Sequence, residues 1–174
     1  AAVIGSGLAG WRIERLLGLP GPWHWLSLPL MIVGLASALA ARSLADSVSD
    51  VVKALPQKED DDLTSARRKL SWIVGRDVES LNEADILRAA AETAAENAVD
   101  GVFAPLFWMG FGALLWTIAP QGPGPLALAW AFKASSTLDS MLGYRSGRLR
   151  WLGTAGARLD DLLTWIPCRL VMIS

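Results

Sequence analysis

GVFAPLFWMGFGALLWTIAPQGPGPLALAWAF, residues 101–132, runs for 32 residues without a formal charge. Three prolines and two glycines within Pro120–Pro125 cannot continue a helix, so the block divides at that point. It reads as a helical hairpin: one membrane span over 101–119, a tight turn, and a return leg from 126 to 143. The return leg carries Lys133 and Asp139. Ionisable groups at membrane depth are functional candidates unless the leg is short and leaves them in water.

The rest of the composition agrees with a membrane protein. Of the 174 residues 52% are hydrophobic and 19% charged, and the mean hydropathy is +0.35. Soluble domains carry about 25% charge. A second charge-free stretch, 16–41, lies between Arg15 and Arg42, and its part from Trp25 to Ala41 is long enough to approach a span, with Trp23 and Trp25 at its head. A net charge of −1 excludes the broad basic surface of a nucleic-acid binder. One cysteine, Cys168, and one histidine, His24, exclude an internal disulfide and paired-histidine zinc motifs. Chemistry must rest on carboxylates, Arg, Lys, Asn and hydroxyls.

The hairpin places 42–100 and 144–161 on one side of the membrane. They hold eight and four Lys/Arg, against none in the 120–125 turn, so the positive-inside rule puts both in the cytoplasm. The expected organisation is one all-α fragment of a multi-pass membrane domain. It comprises a span at 16–41, a cytoplasmic helical segment at 42–100, the hairpin at 101–143, a cytoplasmic loop at 144–161 and the start of another span at 162–174. The missing initial Met and the apolar last residues are read as marks of an internal fragment.

Within 42–100 the pattern predicts three helices. Leu44, Val48, Val51 and Leu55 form the first apolar stripe, and residues 56–62 are a charged linker. The second helix has Asp62 as N-cap, the stripe Leu63, Ala66, Leu70 and Ile73, and a stop at Gly75. The third has Asn82 as N-cap, with Asp85 three residues on in a variant capping box, and runs to about Val99.

Carboxylates recur through AETAAENAVDG, residues 91–101. Glu92, Glu96 and Asp100 at i, i+4 and i+8 share one helical stripe, beside Asn97. Like charges at that spacing cost about 0.2–0.5 kcal/mol per pair unless a cation compensates. The cation is either Mg²⁺ or an arginine of a structural ion network, Arg67, Arg68 or Arg76. ARRKLSWIVGRD, residues 66–77, supplies enough positive charge to neutralise a polyphosphate, and reads equally as a solvated basic face. KASSTLDSMLGYRSGR, residues 133–148, joins Lys133, Asp139, Tyr144 and Arg145 with several hydroxyls, a mixture suited to a polar ligand. In ARLDDLLTWIPCRL, residues 157–170, Arg158, Asp160 and Asp161 precede an apolar run; the aspartates fit a helix start or a share in a metal site.

Gly5-Ser6-Gly7-Leu8-Ala9-Gly10 matches G-x-G-x-x-G. A dinucleotide fold would need a strand before it, a helix after it and an acid about 20 residues on. No acid lies between Glu14 and Asp46, and the following stretch is membrane-like, so the match is discounted.

AARSLADSV at 40–48, ARRKLSWIVGRD, AETAAENAVDGVFAPLFW, KASSTLDSMLGY and ARLDDLLTWIPCRL, in that order, resemble the adenosylcobinamide-phosphate synthase family, the CobD/CbiB membrane proteins of cobalamin biosynthesis. The resemblance covers about Ala40 to Leu170, with departures at Ser136, Thr164 and Ala98. It implies a multi-pass protein of the bacterial inner membrane and a carboxylate–amine ligase that attaches aminopropanol, or its phosphate, to adenosylcobyric acid through an amide. ATP and Mg²⁺ are implied, with an acyl-phosphate route. On this casting Glu92, Glu96, Asn97, Asp100 and Asp139 are catalytic. Arg67, Arg76, Asp77, Lys133, Tyr144, Arg145 and Arg158 hold substrate or phosphate, and Glu92, Glu96, Asp100, Asp160 and Asp161 hold Mg²⁺. The fragment by itself is expected to be inactive. A CDP-alcohol phosphotransferase is set aside because Val102-Phe103-Ala104-Pro105 after Asp100-Gly101 lacks the required Arg. A transporter or non-catalytic scaffold is the competing class. Oligomeric state stays open.

Overall fold

The computed structural model describes residues 1–19, 21, 23–56, 62–142 and 150–173, with the backbone alone at 23, 24, 142, 150–152 and 173. The described chain is all-α: α1 (Ala2–Leu16), α2 (Trp23–Ser37), α3 (Ala41–Lys53), α4 (Thr64–Leu70), α5 (Glu83–Ala98), a π-helical turn (Val99–Phe103), α6 (Ala104–Ile118), α7 (Pro125–Leu142) and α8 (Arg150–Ile173). It forms two compact units, residues 1–39 with 99–174, and residues 40–98.

In the first unit α7 is the central helix, packed on α1, α2, α6 and α8. Leu126, Ala127, Ala129, Phe132 and Ser135 along it are buried. Helix α1 runs straight through the G-x-G-x-x-G match, and its glycines serve packing. A Cβ on Gly10 would lie 2.9 Å from the backbone of Ala127, and one on Gly7 would lie 3.3 Å from Ala131 Cβ. Glu14, one turn beyond Gly10, is 3% exposed. Its carboxylate accepts the N–H groups of Gly124 (2.9 Å), Leu126 (2.6 Å) and Ala127 (3.1 Å) at the start of α7. Those N–H groups have no partner inside the helix, so Glu14 supplies the cap from a distant segment.

Pro120–Pro125 separates α6 from α7, and small residues let the two legs close. A Cβ on Gly112 would meet Gly124 and Pro125 backbone at 2.5–2.6 Å. Trp116 Nε1 donates to Gly122 O at 3.2 Å, Trp11 Nε1 to Gln121 O at 3.1 Å, and Arg15 to the Gln121 side chain. Trp130 Nε1 ties α7 to α2 through Gly34 O at 2.9 Å. Trp108 Nε1 ties α6 to α8 through Leu163 O at 3.1 Å.

The helical stretches Trp25–Lys53 and Glu83–Ile118 are long and apolar enough to cross a membrane. Trp25, Leu26, Leu28, Ile32 and Val33 on α2, and Phe103, Leu106, Phe111, Leu114 and Ile118 at α6, are exposed. Such rows are costly in water and natural against lipid.

The second unit has its own core of Val51, Ala66, Leu70, Val78, Ile86, Ala89 and Ala90. Helix α5 starts as its sequence predicts: Asn82 Oδ1 accepts the Asp85 N–H at 2.9 Å. Helix α4 is shorter than predicted. It ends at Leu70, and turns at 71–73 fold Ile73 and Val74 against the core. Asp62 holds the Thr64 N–H (2.9 Å) and hydroxyl (2.6 Å), one residue outside the N-cap, Leu63.

Two boundaries differ from the sequence expectation. Residues 150–161 are not a loop: α8 begins at Arg150, so Asp160 and Asp161 lie in mid-helix rather than at a helix start. Gly156 sits where α8 meets α7, with the Leu138–Asp139 backbone 3.8–3.9 Å from where its Cβ would be, an ordinary packing distance. The α-helical period also ends at Ala98 and a π turn follows, so Asp100 does not continue one α-helical stripe with Glu92 and Glu96.

Candidate functional site

The expected site residues fall into two groups, one in each unit. In residues 40–98, Thr64, Arg67, Arg68, Ser71, Arg76, Asp77, Val78 and Glu79 line an open cavity of about 560 Å³. Helix α4 presents Arg67 and Arg68, Ser71 caps its end, and the turn after it returns Arg76 and Asp77 to the same hollow. Arg67 is oriented by Nε donating to Leu81 O at 2.9 Å. Arg76 Nη2 donates to Glu92 Oε2 at 2.9 Å, with both side chains about half exposed. Glu92 is therefore compensated by arginine, the structural alternative to a metal for this carboxylate. Beside the cavity Trp72 is 65% exposed. Lys69 Nζ lies 4.7 Å and Arg68 Cζ 5.8 Å from its ring centroid. Glu96 is exposed, and Asn97 donates its side-chain amide to Thr93 O at 2.9 Å in its own helix.

The second group lies in the other unit, where α7, α8 and the π turn bring Asp100, Lys133, Asp139 and Asp161 within electrostatic reach of Asp160. Burial pushes the Asp160 carboxyl up to about 6; the charges of Asp100, Asp139 and Asp161 add to the rise and Lys133 opposes it. Ser135 Oγ, Asp160 Oδ1 and Thr164 Oγ1 are buried without a hydrogen-bond partner. Lys133 also lines a hollow of about 360 Å³ with Ser6, Ser37, Trp130 and Thr137. Arg158 is exposed. Tyr144 and Arg145 lie outside the described residues.

Arg67, Arg76 and Asp77 thus share one cavity, and Asp100, Lys133, Asp139, Asp160 and Asp161 share one electrostatic neighbourhood. Ser135 and Thr164 were not among the expected site residues. The available signal was their i, i+4 spacing from Asp139 and Asp160, which puts hydroxyl and carboxylate on one helical face. Among the described residues no three acidic, His or Cys side chains gather as a metal-ligand set. The hard carboxylate donors suit Mg²⁺, which needs only one or two protein carboxylates when phosphate oxygens and waters complete its shell.

Comparison with known proteins gives a concordant family. The model of the CobD/Cbib protein family matches residues 1–174. The chain is 46% identical over 171 residues to the cobalamin biosynthesis protein CobD of Synechocystis, covering 98% of this chain and 47% of that protein. It is 46% identical over 165 residues to CobD of Pelobacter propionicus, covering 94% and 44%. With the cobalamin biosynthesis protein CbiB of Salmonella typhi it shares 41% over 160 residues, covering 92% and 45%. The chain spans a little under half the length of these relatives. No solved structure matches it. Matched from its first residue to its last, the chain belongs to the CobD/CbiB family.

Proposed function

We propose that this chain is part of a membrane-bound carboxylate–amine ligase of cobalamin biosynthesis, joining aminopropanol or its phosphate to adenosylcobyric acid with ATP. The observation that carries the reading is the whole-chain family match to proteins named for cobalamin biosynthesis. The geometry supports it with two polar centres: an arginine-lined cavity suited to phosphate oxygens or corrin carboxylates, and an acidic, hydroxyl-bearing centre suited to an amine partner.

On this reading Arg67 and Arg68 neutralise phosphate charge as the substrate carboxylate is activated, and Ser71 and Thr64 donate hydrogen bonds at the cavity wall. Asp77, on the cavity wall, is a carboxylate offered to Mg²⁺. Bound Mg²⁺ would withdraw charge from the phosphate oxygens. Asp100 and Asp139 hold the acidic centre, where a proton released by the amine can be taken up. The protein lies in the inner membrane with its charged segments towards the cytoplasm.

The test uses the full-length parent protein in membranes, supplied with adenosylcobyric acid, ATP, Mg²⁺ and either amine. ATP-dependent gain of the aminopropanol mass on the corrin, with phosphate release, is the expected result. Arg67→Ala and Asp139→Asn should each lower turnover by at least tenfold. Absence of mass gain with either amine, from folded protein, would move the protein to a transport or scaffold role.

A further inference from the structure

A buried polar atom costs about 1–3 kcal/mol when nothing pairs with it, so each one left without a partner asks what would satisfy it. Ser135, Asp160 and Thr164 supply all three among the described residues, and Ser135 is 0% exposed. They belong to one seam. Gly156 of α8 faces Asp139 of α7. Asp160 and Thr164 follow Gly156 on α8 at i+4 and i+8, and Ser135 precedes Asp139 on α7 by four, so all three lie on the faces along which the two helices meet.

Among the described residues the charge acting on Asp160 is mostly negative: Asp100, Asp139 and Asp161 face it, and Lys133 acts in the opposite sense. Two kinds of guest would answer that excess: a metal ion or an organic cation. A bare divalent ion asks for several carboxylates at ligand distance, and no such set forms among the described residues. Two of the three unpartnered atoms are hydroxyl oxygens, which both donate and accept. That mixture matches a molecule bearing an ammonium and a neighbouring polar group. A buried water would satisfy the hydroxyls but leave the charge unanswered.

We propose that the α7–α8 seam binds a small cationic amine, with the ammonium on Asp160 and its neighbouring polar group between Ser135 and Thr164. The inference rests on the ligase reading for its biological amine and locates that amine on this chain. It also separates the roles of the two centres: anions in the arginine-lined cavity, the cation in the seam.

The full-length parent protein in nanodiscs, without ATP or corrinoid, is titrated with 1-aminopropan-2-ol, with propan-2-ol and with MgCl₂, following tryptophan fluorescence and heat. The amine should bind saturably and propan-2-ol should not. Asp160→Asn should weaken amine binding at least tenfold. Thr164→Val and Ser135→Ala should each weaken it severalfold with unchanged helix content, and they carry the test if Asp160→Asn does not fold. In turnover the same two variants should raise the amine KM more than they lower kcat. Amine affinity unchanged in all the folded variants overturns the seam, as does Mg²⁺ displacing the amine from it. Wild-type turnover alongside such unchanged affinity leaves the ligase standing without this site. Saturable, Asp160-dependent amine binding without turnover supports the site and removes the ligase reading.

Discussion

Replacing Glu14 by Ala should be among the most damaging single changes on α1, although Glu14 lies far in sequence from the residues it holds. The side chain is 3% exposed and accepts three N–H groups, from Gly124, Leu126 and Ala127. All three donors belong to buried residues, so water cannot replace the carboxylate without opening the α1–α7 contact. Each stranded donor costs about 1–3 kcal/mol, and the lost charge at the start of a helix about another 0.3–1 kcal/mol. Relief from burying the carboxylate offsets part of this, leaving a net loss of about 4 kcal/mol. At about 1–2 °C per kcal/mol for a full-length protein about twice as long as this chain, as its relatives are, the melting temperature should fall by about 4–8 °C. Glu14→Gln keeps one acceptor oxygen and should fall by roughly half as much. The assay is a thermal melt of the full-length protein in detergent, read by tryptophan fluorescence, because Trp116 and Trp130 flank the turn and α7. A Glu14→Ala protein melting within about 1 °C of wild type, below the shift of even one lost hydrogen bond, would refute the cap.

Gly10→Ala places a Cβ 2.9 Å from Ala127 backbone and should cost about 1–3 kcal/mol, whereas Gly5→Ala meets nothing and should gain up to about 1 kcal/mol in helix propensity; paired melts check both. Asp160, with its pKa raised from 3.8 to about 6, favours the folded state below pH 4, and that favour is lost as pH rises through 6. Asp160→Asn should therefore stabilise the ligand-free protein above pH 7, by about 1–2 kcal/mol after allowance for solvent screening, and change little at pH 4; a pH series of melts with equal shifts throughout would contradict this. A double-mutant cycle on Arg76 and Glu92 should give only about 0.2–1 kcal/mol of coupling, since both side chains are half exposed. A turnover loss far above that coupling would mark Glu92 as more than a structural partner.

Much of the architecture is written in local signals. The charge-free run at 101–132 and its Pro/Gly interruption anticipate α6, the turn and α7 because proline and charge act on the chain where they stand. Asn82 marks the start of α5 for the same reason. Other features depend on partners remote in sequence. Glu14 becomes a cap only when α1 lies against α7. Residues 150–161 look like a loop by composition, yet they form the first half of α8, which packs against α7. The π turn at Val99–Phe103 has no local signature in the sequence, so counting by four from Glu92 and Glu96 puts Asp100 on a stripe the structure does not continue. In the second unit the basic run of α4 is plain, while the turn that returns Arg76 to the same cavity depends on Ile73 and Val74 folding against the core. Asp160 stood out by charge; Ser135 and Thr164 did not, since a hydroxyl announces its importance only when burial removes its water.

Helix α7 has opposite conditions at its two ends. Its first turn is locked by a carboxylate from another helix, while its later turns border hydroxyl and acid groups that nothing satisfies. Amide hydrogen exchange should therefore be graded along one continuous helix, slowest at 126–130 and fastest towards 139–142. A guest in the α7–α8 seam would flatten that gradient from one side only. The helix would then report occupancy by the loss of its own asymmetry, with no change in its average position.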